Sequence, residues 1–388
     1  MPIVKRALLS FAVCACSVVL AVQGSPATGS QRAPLRDELQ AKFNELHKAA
    51  SFPGGTAGFV LADGTSFGIA VGVSDRTSAA PMKPTDRLLL GSVGKTYVSA
   101  VALQLMAEKQ FSLEDTLDKF FGQEKWFPRL ANASKITVRH LMTHTSGIVR
   151  YELNPKFTQD LSANPDKVWS GEDRLAYLLD AQPPFAPGQG WEYSDTNYIV
   201  LGMIIEKVSG QSYYDQLRTR VLNKHQLKDT VPADSRVVAG LVQGYAGAQN
   251  PFGGTDEMIK DGKFAVNPQF EWTGGGLAVT ALDLAKWGEI LYEGRAFPEE
   301  MMPKLLDGVP ARLGPESKYG LGVIIRPSPL GITYGHSGYM PGYQTELVYF
   351  PELKTSIAVQ VNSSAPRSTG KSLRGFALDF AAIVNSHS

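Results

Sequence analysis

The chain reads as an α+β protein, an α/β/α sandwich whose single antiparallel sheet is built from both ends of the sequence and flanked by helices. Three observations predict this. Short runs rich in Val, Ile, Phe and Tyr occur near the start, at 56–62 and 66–73, and again near the end, at 319–325, 332–335, 344–350 and 355–361. Between them the apolar residues recur mostly at helical spacing. An amphipathic helix precedes the first strands and another follows the last. The predicted division is a sheet domain from 30–80 and 316–388, with a mostly helical domain, 81–315, inserted into it.

The elements follow in order. Lys5 and Arg6 precede a sixteen-residue apolar run, 7–22, and then Gly24-Ser25-Pro26-Ala27. A basic flank, an apolar middle and small residues at its end describe a secretory signal peptide over about 1–25. The run is shorter than the roughly 20 residues a membrane span needs, so cleavage and a secreted or periplasmic destination are expected. Both cysteines, Cys14 and Cys16, lie inside it. The mature chain would then have no disulfide and no thiol chemistry, and a lipid anchor on Cys16 is disfavoured by the cysteine at 14. Leu35, Leu39, Phe43 and Leu46 predict a helix over 35–49. Asp63-Gly64 between the first two strand runs is a hairpin signal. Helices are expected at 172–179, 196–208, 213–222 and 281–292, the last capped by Thr280 with Asp283. Pro351 to Lys354 turns the chain between the final strands. Leu373, Phe376, Ala377, Phe380 and Ile383 form the stripe of a closing helix.

With 388 residues, 43% hydrophobic and 19% charged, the chain can bury a large core. The formal net charge is +1, and removal of 1–25 leaves 36 basic against 37 acidic side chains. No basic stripe appears, so nucleic acid and anionic membrane surfaces are not indicated as partners. No segment after the leader is apolar enough to insert stably in a bilayer. The expected partner is a small-molecule or peptide substrate; oligomeric state is not readable.

The chemistry concentrates at Ser92-Val93-Gly94-Lys95. A spacing of three on a helix places the hydroxyl and the amine on one face. A serine becomes nucleophilic when a neighbouring base takes its proton, and a helix start offers free N–H groups to a developing oxyanion. Leu88-Leu89-Leu90-Gly91 leads into this motif, and the run after it, Tyr97 to Met106, is apolar enough to be buried. That leaves Lys95 near a dry interior. Two further segments belong with it. Tyr193 sits before a helix start, where a nearby lysine would ease loss of its proton and make it a general base. Gly335-His336-Ser337-Gly338-Tyr339 ends a strand. There a substrate backbone can pair, His336 offers a donor or a weak positive charge, and the N–H of Tyr339 can complete an oxyanion hole with that of Ser92.

Serine, lysine, tyrosine and histidine in this order resemble the penicillin-recognising serine hydrolases. These are the class C β-lactamases, the D-alanyl-D-alanine carboxypeptidases of the same fold and the related carboxylesterases. The landmarks are Ser92-Val-Gly-Lys95, His140-Leu-Met-Thr-His-Thr-Ser-Gly147, Tyr193-Ser-Asp195, Gly274-Gly-Gly-Leu277 and His336-Ser-Gly338, covering about 35–385. The resemblance implies a β-lactamase/transpeptidase-like fold, with Ser92 as acylated nucleophile, Lys95 as its proton partner and Tyr193 as the base that also protonates the leaving group. It makes His336, Ser337 and Gly338 the substrate-binding strand and requires no metal or organic cofactor. The expected substrates are D-alanyl peptides or β-lactams, with small esters as the alternative. A histidine at 336, where many β-lactamases carry lysine, leans away from a dedicated β-lactamase. A non-catalytic cell-wall peptide or β-lactam binding protein is the competing class. The departure is Asp195, where better-known members have asparagine: an ionised carboxylate has no donor and brings negative charge toward Lys95.

Other readings fail on composition of the motif. His140 and His144 lie four apart, but the glutamate of a zinc-protease motif and a third ligand are missing. Leu90 stands where the first glycine of Gly-x-Ser-x-Gly would be, and Gly274-Gly275-Gly276 lacks the lysine of a phosphate loop.

Overall fold

The computed structural model describes residues 29–387. The predicted leader and its two cysteines lie outside the described residues. Among the described residues no helix is long and apolar enough to cross a membrane.

Nine strands form one sheet, every neighbouring pair antiparallel. From one edge the order is Ala80–Pro81, Ser66–Asp75, Gly54–Val60, Thr355–Val361, Tyr343–Phe350, Gly331–Met340, Ile324–Ser328, Lys318–Tyr319 and Val309–Pro310. The first and last parts of the chain meet where Gly54–Val60 pairs with Thr355–Val361, with Ala57 opposite Val359. One face is covered by the helices Gly29–Lys48 and Leu373–Ser386, which bury Leu39, Phe43, Phe376 and Phe380 against Phe59, Ile357 and Val359. The other face carries the helix Ala281–Tyr292 and the larger core of the middle segment. There Gly58 lets the helix start approach so closely that a Cβ would lie 2.1 Å from the Ala281 carbonyl oxygen.

Three expected elements are corrected. The helix expected at 172–179 is α-helical only over Gly171–Leu175 and gives way to turns. The run 319–325 is not one strand: Lys318–Tyr319 and Ile324–Ser328 are separate antiparallel strands. They are joined by a turn in which Gly322 takes a positive φ of 80° and Leu321 and Val323 are buried. The helix expected at 213–222 is α-helical only over Tyr213–Leu217 and continues as a π-turn over Arg218–Leu222. The helix Ala281–Tyr292 has the predicted bounds, and the Thr280 side chain accepts from the Asp283 N–H.

A second, three-stranded sheet positions the serine. Leu88–Leu89 pairs with Leu277–Val279, which also pairs with Thr230–Pro232. Buried leucines carry the chain out of this sheet, and Gly91 turns it at φ 55° into the 3-10 turn Gly91–Gly94 and then the helix Lys95–Ala107. That helix has twelve buried residues out of thirteen, mostly apolar but including Lys95, Thr96, Ser99 and Gln104.

Candidate active site

Gly91 must be glycine twice over: its φ is left-handed, and a Cβ would lie 2.5 Å from the Tyr339 carbonyl oxygen. This contact locks the serine turn against the strand Gly331–Met340. That strand pairs with Ile324–Ser328 only through residues 331–335. Residues 336–340 therefore have a partner on one side, Tyr343–Phe350, and an edge free of strand on the other. Ser92 stands beside that open edge.

The pairing of Leu89 with Ala278 brings residues 274–276 alongside the serine turn. Gly275 fits because a Cβ there would lie 2.2 Å from the Gly91 carbonyl oxygen and 2.9 Å from the Ser92 nitrogen. Lys95 is wholly buried. Its Nζ donates to Ser92 Oγ at 3.1 Å, to the Gly274 carbonyl at 2.6 Å and to Asp195 Oδ1 through a very short ion pair. The Gly274 carbonyl and the Asp195 carboxylate can only accept, and the ion pair with Asp195 matches an ammonium at Lys95.

Tyr193 precedes the helix Asp195–Ser209, and its loop is tied down by Glu192 N–H donating to the His144 carbonyl. The Lys95 nitrogen lies 5.0 Å from the centre of the Tyr193 ring. The phenol oxygen approaches Ser92 closely enough for the serine to pull its pKa down in part, yet it is buried without a hydrogen bond of normal geometry. The expectation that lysine would ease ionisation of Tyr193 is reversed. Burial and the Asp195 carboxylate drive its pKa well above the ordinary phenol range. Beneath it His144 is buried with its ring 4.2 Å from that of Tyr193. Its Nδ1 accepts from the Ser194 N–H, and burial with Lys95 nearby keeps the imidazole neutral.

His336 is likewise buried. Its Nδ1 lies 2.7 Å from the Ser337 carbonyl, which can only accept, so Nδ1 carries the proton and Nε2 accepts from the Tyr319 hydroxyl at 2.8 Å. Burial, then Lys95, push its pKa down to about 3. The weak positive charge expected of His336 is therefore absent. Ser337, next along the strand, faces the opposite way. It lines a 420 Å³ cavity with Arg326, Glu346 and Arg374. Gly338 presses on the serine turn, where a Cβ would lie 2.1 Å from the Leu90 carbonyl oxygen, and the Tyr339 side chain is 57% exposed.

Asp195 is where the sequence reading and the geometry agree most closely, for its carboxylate does reach Lys95. It also has a second cation that the motifs did not reveal: Arg150 Nη2 donates to Oδ2 at 2.9 Å. Burial would raise the Asp195 pKa, but Lys95 and Arg150 outweigh it and hold the carboxyl well below its usual range. Glu152 accepts from Arg150 Nε at 2.5 Å, and burial beside Asp195 raises its pKa well above normal. Glu271 is raised to about 7 by burial and the Asp195 charge. Arg150 lies in the segment after Gly147, where spacing carried no signal for it. Among the described residues no group of His, Cys, Asp and Glu is placed to hold a metal ion.

The profile of the Beta-lactamase family matches residues 39–382. A penicillin-binding protein of Bacillus subtilis (strain 168) is 27% identical over 337 residues, 83% of this chain and 71% of that protein. Esterase EstB of Burkholderia gladioli is 30% identical over 186 residues, which is 46% of this chain and 47% of the esterase. The structure of a D-amino acid amidase from Ochrobactrum anthropi SV3 superimposes with a TM-score of 0.77 at 23% identity, over 91% of this chain and all of that one. That likeness is one of fold, whereas the family profile spans nearly the whole described chain: this protein belongs to the Beta-lactamase family and is a serine hydrolase.

Proposed function

We propose that this protein is an exported hydrolase that forms an acyl-enzyme at Ser92, acting on D-alanyl peptides or related amides and β-lactams. The observation that carries it is the buried Lys95 ammonium bonded to Ser92 Oγ at 3.1 Å beside the unpartnered hydroxyl of Tyr193. Export is supported by the basic, apolar and small-residue order of 1–25.

Lys95 is paired with the Asp195 carboxylate as an ammonium, so it stabilises negative charge on Oγ and does not receive the serine proton. A free phenolate of Tyr193 is costly when buried beside the Asp195 carboxylate. The economical step is a relay: as Ser92 Oγ bonds to the carbonyl carbon, its proton passes to Tyr193 while the Tyr193 proton passes to the leaving nitrogen. The phenol stays neutral throughout. Water then attacks the ester, and the same relay runs in reverse to free Ser92. N–H groups of Ser92 and Tyr339 are the proposed oxyanion donors, and the open edge at 336–340 is the proposed seat of the substrate backbone.

A fluorescent penicillin should label the wild-type protein covalently, and labelling should vanish in Ser92→Ala with folding unchanged. Retained labelling in that variant would refute the assignment. Asp195 favours a second reading, hydrolysis of small esters, because a carboxylate offers no donor to an acylamide. Asp195→Asn should then raise the rate of penicillin acylation; an unchanged rate removes Asp195 as the reason. Cleavage of p-nitrophenyl butyrate with D-alanyl peptides untouched would make the protein an esterase.

A further inference from the structure

Of the groups ion-paired around Lys95, Arg150 is the most exposed. Its side chain keeps 32% of its surface, against 0% for Lys95, 6% for Asp195 and 15% for Glu152. The guanidinium is held at two corners, with Nη2 on Asp195 and Nε on Glu152. Its carbon also lies 5.7 Å from the centre of the Tyr193 ring. Nη1 makes no hydrogen bond among the described residues. A planar cation pinned by two carboxyl groups cannot swing away, so its spare donors are fixed in space. They are fixed near the nucleophile, because the carboxylate that orients Arg150 also holds the lysine that holds Ser92.

The local charge is lopsided. Lys95 and Arg150 are cations, and Asp195 is held ionised between them. Glu152 is pushed toward its neutral form, and Glu271 titrates only at about 7. Asp195 serves as a yoke, with one oxygen for the cation of the nucleophile and the other for a cation that has donors to spare.

We infer that Arg150 is the specificity-determining residue of the acyl side of the site, and that it binds a short acyl group ending in a carboxylate through Nη1 while Ser92 attacks the ester or amide carbonyl. This rests on Ser92 being the nucleophile. Glu152 is a positioning residue in this scheme, since it touches the guanidinium and not the substrate. Arginine suits the task because its rigid fork matches a carboxylate where a lysine offers only a point charge.

The test is steady-state hydrolysis of p-nitrophenyl hydrogen glutarate and of p-nitrophenyl pentanoate, an uncharged ester of the same acyl length, with spontaneous hydrolysis subtracted. The wild type should prefer the glutarate ester in kcat/KM, and the preference should shrink as salt is added. Arg150→Met should lower kcat/KM for both esters, but by about tenfold more for the glutarate, mainly through KM, as loss of a charge-assisted contact predicts. Arg150→Lys should recover part of the preference. Glu152→Gln, which keeps the arginine but slackens its hold, should reduce the preference by less than Arg150→Met, and it serves as the test if Arg150→Met does not fold. Equal preference in wild type, or a ratio unmoved by these substitutions, overturns the inference alone when pentanoate cleavage is still abolished in Ser92→Ala. Failure of the wild type to cleave either ester overturns it, and the role of Ser92 falls with it only if fluorescent penicillin also fails to label the wild-type protein.

Discussion

Asp195 sets the electrostatics of this site, and its effect spreads to carboxyls that never touch Ser92. Glu271 lies under the Gly274–Gly276 turn, and burial together with the Asp195 charge raises its pKa from 4.5 to about 7. The folded chain therefore binds this proton more tightly than the unfolded chain does. The stability it contributes is complete below about pH 4.5 and is lost as pH rises through 7. Glu271→Gln removes that slope. Compared by urea unfolding at about pH 5 and about pH 8, the wild type should lose on the order of 2 kcal/mol more than the variant, allowing for partial access of water to the side chain. Equal losses would mean that Glu271 keeps an ordinary acidity. Ser92, Lys95 and Tyr193 were legible as candidates because their motifs and flanks occur in the order that the resemblance to the penicillin-recognising hydrolases requires, whereas each motif alone is a weak signal. Arg150, Glu152 and Glu271 were not, since isolated charges in loops look like solvated surface, and only the fold reveals that they face one another.

At the scale of elements, the serine turn is held by backbone against backbone. Gly94 and Gly275 touch so closely that a Cβ on Gly94 would sit 2.8 Å from the Gly275 Cα. A Cβ on Gly275 would meet the Gly91 carbonyl and the Ser92 nitrogen, atoms with no flexible end to move aside. Gly275→Ala should therefore shift Ser92 and lower kcat by about a hundredfold, the usual cost of a displacement near 1 Å. Penicillin labelling should slow in parallel while circular dichroism stays unchanged; full activity would show that the turn can yield. Element types were read well where the period was long, as in Ala281–Tyr292. The misreading at 319–325 has a physical cause: Leu321 and Val323 are as buried as strand residues, so burial masked a turn that only Gly320 and Gly322 betrayed. The π-turn after Leu217 had no sequence cue, because the five residues Arg218–Leu222 are too few for the apolar period to distinguish one helix type from another.

For the whole molecule, the decisive feature is that residues from the two ends complete one sheet and one core. Phe380 stands at that junction, fully buried on the closing helix Leu373–Ser386. Its ring meets Phe43 of the first helix edge-on at 5.6 Å and Phe59 of the strand Gly54–Val60 at 5.4 Å. Two consecutive elements from the start of the chain and one from its end thus converge on one side chain, on the face of the sheet away from Ser92. Phe380→Ala removes the ring without touching any atom of the site and leaves a cavity between the helices and the sheet. It should cost about 3–5 kcal/mol of stability, the range for a buried phenylalanine reduced to alanine. Because the sheet also carries the open edge at 336–340, thermal unfolding and loss of penicillin labelling should move down in temperature together. Below that transition the labelling rate per folded molecule should match the wild type. A variant that loses labelling while its core remains folded would show that the far face of the sheet controls the site directly, and stability alone would no longer account for the link.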